Sequence, residues 1–433
     1  MNRGKHLLNS RGIRNTLSRA VAVSKRFGIT SRKIESRLNT YVDITKKFGC
    51  TPTFPITAIN LRRHPELIRK LSQRGVEFAI HGHIHTDYKQ LSLEEQTWHL
   101  EKAIDIFKSC QIPFKGFRCP YLKWNRDLLR TISEFNFLYD SSKIILWDVI
   151  NKSKYRGQGW KAYKKLLDFY EPKDAKEYLA LPEFESNFIE IPVSMPDDEA
   201  ITDRLGITDK KEITEILEMI FQETYARGEL FTLQLHHERI RLWRNALETT
   251  LHQARELDPP VWIAPLKEIA EWWKEKDKFS FEVTPQNNRK YTINARCSEK
   301  ATVLVRNSKV NKSTFDWANG YKSIDDSNFT IESSTRPFIG VSPDSSRDAI
   351  SFLRSEGFVV EESDQPKDYG IYFDNLADFQ ETDAKPISEK IENSNAPLFR
   401  FWRWPNKAKS ALTITGDIDS ITLIDFFLRL FGR

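Results

Sequence analysis

The chain has 433 residues, enough for about three domains, and its 39% hydrophobic and 12% aromatic residues exclude a disordered protein. Its 66 basic and 60 acidic residues leave a net charge of only +6, which argues against a nucleic acid as the partner. The mean hydropathy is −0.53, and no apolar run approaches the roughly 20 residues of a transmembrane helix.

The four cysteines show no CxxC spacing and are too scattered for a disulfide framework. This usage is typical of a reducing compartment. We therefore expect a cytoplasmic protein, with the inner face of the membrane as the alternative location.

The first 33 residues are basic, with nine Lys or Arg and no Asp or Glu. Ile13, Leu17, Ala20 and Val21 would lie on one face of a helix. Such a helix over residues 1–33 would suit peripheral contact with an anionic membrane, whereas the alternative is a solvated helix that caps the domain.

From about residue 29 to 275, short β-rich apolar runs alternate with helical periods. This alternation predicts an α/β fold with a parallel sheet or barrel, in which chemistry collects at the carboxyl ends of the strands. Beyond the charged segment Lys274–Lys278 the pattern changes to that of an antiparallel β module. The predicted organisation, in chain order, is a barrel over 1–275, a sandwich-like β module over 279–335, a small α/β unit over 336–379, a polar linker over 380–409, and a strand with a helix over 410–433.

Three of the nine histidines fall within His81-Gly82-His83-Ile84-His85, directly after a predicted strand. A helical turn at this point would place His81 and His85 on one side, as a two-histidine metal site requires. The alternative is a loop of surface histidines, because this spacing often arises by chance. The spacing by itself leaves both interpretations open.

Other motifs follow in order along the chain: Phe117-Arg118-Cys119-Pro120-Tyr121, Tyr139-Asp140-Ser141-Ser142, and a strand that ends in Leu235-His236-His237. Together with Thr53-Phe54-Pro55, this ordered set resembles the NodB-type polysaccharide deacetylases over roughly residues 29–273. The resemblance implies a deformed (β/α) barrel, a divalent metal held by two histidines and an aspartate, and hydrolysis of an N-acetyl group on a sugar.

The opening strand of that family, which ends in an acidic pair, is missing upstream of Thr53. The only aspartate there is Asp43, which lies inside a predicted helix. The segment from Ser410 to Asp419 resembles the missing strand and its acidic turn. We therefore expect a circularly permuted domain; the alternative is that residues 410–433 are the remnant of a second deacetylase unit.

The resemblance implies a role for each matching residue. The metal, with zinc as the expected ion, would be held by His81, His85 and Asp419, and Asp417 would be the general base. Because the family's two aspartates are usually adjacent, the division of roles between Asp417 and Asp419 stays open.

The remaining catalytic roles follow from the same motifs. Arg118 would orient the base, and the backbone N–H of Tyr121 would donate to the oxyanion. His236 would be the general acid, with its neighbour His237 as the alternative. The expected substrate is an N-acetylated amino sugar of a polysaccharide or glycolipid precursor, and the alternative function is a catalytically inactive carbohydrate-binding or scaffold protein.

Overall fold

A computed structural model describes residues 26–287 and 289–431 of the chain. Most of the basic segment 1–33, and with it the expected membrane contact, lies outside the described residues. Within the described residues, no helix combines the length and the apolar character needed to span a bilayer.

The first part of the chain alternates helices and strands up to residue 276. Its helices are α1 (Arg32–Lys47), α2 (Ala58–Arg63), α3 (Pro65–Gln73), α4 (Leu93–Ser109), α5 (Arg126–Glu134), α6 (Gln158–Tyr170), α7 (Lys210–Arg227), α8 (Ile240–Glu256) and α9 (Leu266–Lys276). Its strands are β1 (Thr53–Ile56), β2 (Glu77–Ile80), β3 (Phe114–Phe117), β4 (Tyr139–Asp140), β5 (Ile144–Leu146), β6 (Lys173–Asp174), β7 (Glu183–Glu185), β8 (Phe188–Glu190), β9 (Val193–Met195), β10 (Leu230–Gln234) and β11 (Val261–Ile263).

The rest of the chain is richer in strands. The strands are β12 (Ser280–Asn287), β13 (Lys290–Arg296), β14 (Val303–Arg306), β15 (Lys309–Val310), β16 (Thr314–Asp316), β17 (Tyr321–Ile324), β18 (Asn328–Glu332), β19 (Arg336–Val341), β20 (Val360–Glu362), β21 (Tyr369–Phe373), β22 (Leu398–Phe401) and β23 (Ser410–Thr415). The helices are α10 (Arg347–Ser355), α11 (Ala384–Glu392) and α12 (Leu423–Leu430).

The main sheet is a curled, nine-stranded sheet in the order β10-β23-β1-β2-β3-β4-β8-β7, with β11 also paired to β23. Apart from the antiparallel β7–β8 pair, its strands run parallel. Helices pack against it around one large apolar core. The predicted fold class, an α/β protein with a deformed-barrel sheet and additional small sheets, is confirmed.

The late strand β23 lies in the interior of this sheet. It pairs along Ala411–Thr415 with β10 on one side, and on the other with β11 and, at Thr415, with Thr53 of β1. All six of its residues are buried. A strand with neighbours on both sides and both faces covered is expected to carry such a continuous buried run.

The β module consists of two four-stranded antiparallel sheets, in the orders β12-β13-β18-β15 and β16-β17-β14-β22. Alternation in β13, where Tyr291, Ile293 and Ala295 are buried, supplies one side of its core. The small α/β unit is a three-stranded parallel sheet with β19 between β20 and β21.

The segment 380–409 is not the polar linker that the composition predicted. Ile387 and Ile391 lie four residues apart on α11 and are buried in the core of the small α/β unit. β22 pairs with β14 and completes the β module. Pro386 falls in the first turn of α11, where the missing N–H costs little, so it does not break the helix.

Candidate metal centre

The candidate site residues come after the carboxyl ends of strands in the curled sheet. His81 follows β2, Arg118 follows β3, Ser141 follows β4, His236 closely follows β10, and Asp417 follows β23 by two residues. Because these strands are parallel, their carboxyl ends meet at one edge. The side chains therefore come together although they are far apart in the sequence.

The histidine segment after β2 is a bent loop and not the helical turn expected from the spacing. Gly82 has φ 74°, and a Cβ at this position would lie 2.8 Å from the hydroxyl of Tyr88, so only glycine fits. The carbonyls of Gly82 and His83 accept from the N–H groups of Ala58 and Ile59 at the start of α2, at 2.9 and 3.0 Å. This hydrogen-bonded loop brings the rings of His81 and His85 to a centroid distance of 5.2 Å. The two histidines are therefore close, as predicted, but through a loop and not through a helical turn.

His83 points away from the pair. Its ring meets those of Trp98 and His99 at 5.4 and 5.7 Å. Burial, with the positive charges of nearby side chains, lowers the pKa of His83 to about 4.

The acidic turn after β23 is held against β1 and β10. The N–H groups of Gly416 and Ile418 donate to the carbonyls of Thr53 and Pro55 at 3.2 and 2.7 Å. A Cβ on Gly416 would lie 2.3 Å from the carbonyl oxygen of Leu235, so the close approach of the two strand ends requires glycine. The turn thereby fixes the two aspartates beside the histidine loop.

His81, His85 and Asp419 form a compact group of possible metal ligands. Nε2 of His81 lies 3.3 Å from Oδ1 of Asp419, and Nε2 of His85 lies 3.3 Å from Oδ2. Ligand atoms around a tetrahedral zinc ion with bonds of about 2.0–2.1 Å are roughly 3.3 Å apart. Each imidazole nitrogen therefore lies at such a distance from one oxygen of the Asp419 carboxylate.

The hydrogen bonds of this group also fit a metal. Nδ1 of His81 lies 2.8 Å from the carbonyl oxygen of Arg118, which fixes the tautomer that leaves the Nε2 lone pair free. Nε2 of His81 and Oδ1 of Asp419 are buried and have no hydrogen-bond partner. Burial, reinforced by Arg429, holds the pKa of His85 well below its usual value, so its imidazole is neutral as a metal ligand must be.

Asp417 lies next to this group and is bound by two donors. Nη1 of Arg118 donates to Oδ1 at 2.9 Å, and Nε2 of Gln234 donates to Oδ2 at 3.0 Å. Nε2 of His81 is 3.8 Å from Oδ2. The two aspartates thus have different surroundings: Asp419 faces both imidazoles, and Asp417 faces Arg118.

Arg118 is fully buried and is itself held by other side chains and the backbone. Its Nε and Nη2 donate to the carbonyl and the hydroxyl of Ser141 at 3.0 and 2.9 Å, and Nη1 also donates to the hydroxyl of Thr415 at 3.0 Å. The Tyr139–Ser142 motif therefore supports the arginine that holds Asp417.

His236 forms a buried pair with Asp198, to which the sequence analysis assigned no catalytic role. Nδ1 of His236 lies 2.7 Å from Oδ1 of Asp198, and the backbone N–H of His236 donates to Oδ2 at 3.0 Å. Burial opposes the charged imidazole, but the Asp198 carboxylate outweighs it and raises the pKa of His236 well above its usual value. A sequence signal for Asp198 existed, since Asp197-Asp198 follows a strand just as Asp417 does.

Asp197, Asp198 and His236 also form a group of possible ligands by distance. Both oxygens of Asp198 are already occupied, because Oδ2 also accepts from Nη1 of Arg239 at 3.1 Å. The guanidinium of Arg239 supplies the positive charge that a cation would bring. This group is therefore a histidine–carboxylate pair and a weaker candidate for metal.

His237 is 1% exposed, and neither ring nitrogen has a hydrogen-bond partner. Burial lowers the pKa of His237. His236, by contrast, is oriented and held protonated by Asp198, which favours it over His237 as a proton donor.

Tyr121 lies against the histidine group. Its ring packs edge-on against that of His85, with the centroids 4.1 Å apart. Tyr121 and Leu122 have φ of 60° and 53°, in the left-handed region that non-glycine residues rarely adopt. The turn is closed by the N–H of Leu122, which donates to the carbonyl of Cys119 at 2.9 Å.

Arg429, on the last turn of α12, also reaches the group. Its Nη1 donates to Oδ2 of Asp419 at 2.7 Å, and its Nη2 lies 3.5 Å from Nε2 of His85. Burial opposes ionisation of Asp419, but the guanidinium of Arg429 holds the pKa of Asp419 well below its usual value. A lone arginine on an amphipathic helix carries no sequence signal for this contact.

Comparison with known proteins relates part of this chain to one protein family. The family model for polysaccharide deacetylase matches residues 30–139. Over 92 residues the chain is 30% identical to the peptidoglycan deacetylase-like protein FGM2 of Gibberella zeae, a match that covers 21% of this chain and 27% of that protein. The match thus spans about a quarter of the length of this curated relative.

Two solved structures are similar to the chain at low identity. A putative polysaccharide deacetylase from Mycobacterium smegmatis is 20% identical with a TM-score of 0.45, covering 60% of this chain and 82% of its own. A probable polysaccharide deacetylase from Pseudomonas aeruginosa PAO1 is 21% identical with a TM-score of 0.43, covering 56% and 73%.

The site defines a protein with a histidine–aspartate cluster at the carboxyl edge of a curled α/β sheet. Over residues 30–139 the chain is similar to the polysaccharide deacetylase family, also called NodB or CE4.

Proposed function

We propose that this protein is a metal-dependent hydrolase that removes an N-acetyl group from an amino sugar of a polysaccharide or glycolipid precursor. The observation that carries the proposal is the meeting of Asp417 and Asp419 with His81 and His85 at one edge of the sheet, with the His236–Asp198 pair at the same edge. The match of residues 30–139 to the polysaccharide deacetylase family supports an acetylated carbohydrate as the substrate class.

His81, His85 and Asp419 would hold a divalent cation, with zinc as the expected ion. When bound, the cation would supply a Lewis acid that polarises the amide carbonyl and lowers the pKa of water. The unpartnered buried Nε2 of His81 and Oδ1 of Asp419 support this role.

Asp417 is the proposed general base. It would take a proton from the attacking water as the new carbon–oxygen bond forms. Arg118 and Gln234 hold its two oxygens by hydrogen bonds and so fix the direction of the carboxylate. The proposed division of roles is therefore Asp417 as base and Asp419 as ligand.

His236 is the proposed general acid. As the carbon–nitrogen bond breaks, it would protonate the departing amine, so that acetate and a free amino sugar are the products. Its raised pKa keeps it protonated near neutral pH. The backbone N–H of Tyr121 would donate to the carbonyl oxygen as negative charge develops there.

The proposal includes a circularly permuted domain. The buried position of β23 between β10 and β1 supports it, because a dispensable remnant would not be expected in the interior of the main sheet. The other modules would then connect the two parts of one domain.

The second candidate function is a catalytically inactive carbohydrate-binding or scaffold protein. The observation that favours it is the ion pair between Arg429 and Asp419, which places a fixed positive charge on a proposed ligand. The two functions differ in whether acetate is released.

The test is a metal titration together with an acetate-release assay. The purified full chain, stripped with a chelator, is titrated with Zn²⁺ and assayed on oligomers of N-acetylglucosamine. We expect one bound ion per chain and acetate release that depends on it. Asp417→Asn should keep the ion and lose at least about a hundredfold in turnover, as expected on losing a general base.

His81→Ala should lose the ion, and His83→Ala is the matched control because His83 points away from the cluster and should leave binding unchanged. A bound ion without acetate release would favour the inactive alternative. Failure of the wild-type chain to bind Zn²⁺ would contradict the enzyme proposal.

A further inference from the structure

Arg429, on the last turn of α12, places its guanidinium against the proposed metal ligands. Nη1 of Arg429 is 2.7 Å from Oδ2 of Asp419, and Nη2 is 3.5 Å from Nε2 of His85. The side chain of Arg429 is 22% exposed, and its guanidinium carbon lies 5.7 Å from the ring centre of Tyr121. The contact is therefore partly shielded from solvent and from screening by salt.

The charges of this arrangement are in conflict with a bound cation. A histidine binds a metal as the neutral imidazole, so Asp419 would be the one proposed ligand that brings a negative charge to the cation. An arginine cannot release its proton, so Arg429 neutralises that charge permanently while it stays in contact. A divalent cation bound to the same ligands would be repelled by the guanidinium of Arg429. It would also have to share the Asp419 carboxylate with that guanidinium.

We propose that Arg429 competes with the metal, so that α12 acts as a latch on the metal centre. The latch is closed when Arg429 is paired with Asp419, and it opens when a cation takes the Asp419 carboxylate. This inference rests on the proposed function, since it concerns the regulation of the same site.

The packing of α12 suits a helix whose last turn can move. Its first turn is anchored: Thr422 and Asp425 form a capping box, and Nε2 of His64 lies 2.8 Å from Oδ2 of Asp425. On its outer side, Ile424 and Phe427 are 59% and 46% exposed. The helix can therefore keep its beginning in place while the end that carries Arg429 swings away.

An opposite role for Arg429 makes the opposite prediction. Carboxylate ligands are often held by an outer hydrogen-bond donor, and loss of such a donor typically weakens metal affinity 10- to 100-fold. If Arg429 only oriented Asp419, its removal would weaken metal binding. If Arg429 competes, its removal strengthens binding.

The experiment compares the affinity for Zn²⁺, and for Co²⁺ by its visible absorption, in the full chain and its variants. Arg429→Gln removes the charge and keeps a hydrogen-bond donor; we expect at least about tenfold tighter binding. Arg429→Lys keeps a charge and should bind as the wild type does. Equal or weaker binding by Arg429→Gln would overturn the proposal.

Arg63→Gln is the matched control. Arg63 donates to Asp425 at 3.2 Å, so the variant removes a guanidinium from the base of the same helix without touching the ligands. Its affinity for the metal should be unchanged. A tightening as large as that of Arg429→Gln would overturn the proposal, because a general loosening of α12 would then explain both.

A second measurement uses the wild type alone. Because coupling between two binding events is reciprocal, metal binding should weaken the docking of α12. Hydrogen exchange of the amides in the last turn of α12 should become faster on addition of Zn²⁺, while that of β23 stays the same or slows. Slower exchange in that turn would contradict the latch.

These outcomes separate the two proposals. If His81→Ala and the wild type both fail to bind Zn²⁺, and Arg429→Gln fails as well, the proposed metal centre itself is wrong. If the wild type binds Zn²⁺ and Arg429→Gln binds it no better, the metal centre stands and the latch is wrong.

Discussion

Arg118 and Asp417 come from distant parts of the chain and form a buried ion pair, with Nη1 of Arg118 2.9 Å from Oδ1 of Asp417. Arg118 is fully buried, and the Asp417 side chain is 5% exposed. Neither charge can be left alone in such surroundings without a large desolvation cost. The pair therefore links the acidic turn after β23 to the strand ends of the first part of the domain.

Substitution Arg118→Met should leave Asp417 buried without its charged partner. We expect a loss of about 3–5 kcal/mol in the free energy of unfolding, as for other buried pairs that lose one partner. Turnover should fall at least about a hundredfold, because the proposed base would lose its orientation. Urea denaturation and acetate release measure the two effects.

Zn²⁺ binding should survive in Arg118→Met, because His81 contacts the backbone carbonyl of residue 118 and not its side chain. Arg130→Met is the control, since Arg130 is 68% exposed and should change stability by less than about 0.5 kcal/mol. A fully active, stable Arg118→Met protein would contradict the role of this pair.

Substitution Asp198→Asn should change the pH dependence of turnover. Asp198 raises the pKa of His236, and a general acid must be protonated, so activity falls as pH rises through that pKa. Without the carboxylate the pKa of His236 falls, and the basic limb of the kcat/KM profile should move to lower pH. The acidic limb should move less.

Asp203→Asn is a suitable comparison for this profile. Asp203 binds Nη2 of Arg239 at 2.7 Å, so it belongs to the same charge network, but the direct contact to His236 comes from Asp198. Its basic limb should stay near that of the wild type. An unchanged limb in Asp198→Asn would show that His236 is not the acid.

Substitution Leu412→Ala tests whether β23 is an integral part of the sheet. Leu412 is fully buried and lies between Phe231 of β10 and Ile263 of β11 in the strand register. A cavity at such a position costs about 2–5 kcal/mol in the free energy of unfolding. Ile424→Ala, at a site that is 59% exposed, should cost little by comparison. Equal stability of the two variants would favour a dispensable strand.

The junction between the modules should be sensitive to acid through Glu356. Burial opposes its ionised form, but Arg403 and Arg400 outweigh this and lower the pKa of Glu356 to about 2. A lowered pKa in the folded state stabilises the protein above the ordinary glutamate pKa of about 4.3, and this contribution is lost as pH falls toward about 2. Glu356→Gln should therefore be destabilised at pH 7 by about 3–5 kcal/mol.

The difference in unfolding free energy between wild type and Glu356→Gln should shrink as pH falls from about 4.5 to 2. Glu282→Gln is the exposed counterpart, since Glu282 pairs with Arg296 at the surface and should have little effect at any pH. A difference that does not change with pH would mean that the Glu356 carboxylate is not the group responsible.

Local sequence patterns were enough to predict the fold class and the position of the histidine cluster. The alternation of strands and helices predicts the α/β class, and the cluster from His81 to His85 follows a strand as the sequence indicates. The segment 380–409 escaped prediction, because Ile387, Ile391 and the short β22 are interrupted by charges and prolines that resemble those of a linker.

The contacts at the metal centre depend on the tertiary structure. Sequence motifs name His81, His85, Asp417 and Asp419, but only the parallel packing of β2 and β23 determines their distances. Arg429 had no local signal, since one arginine on an amphipathic helix resembles any solvated charge.

Local propensity and periodicity act over a few residues, so the sequence by itself determined the elements and the chemical groups at their ends. Which ends meet depends on burying β23 between β10 and β1, a non-local arrangement set by the whole core. The resemblance implied that one carboxylate and two imidazoles share a site, but the tertiary structure alone determined their distances and added the guanidinium of Arg429.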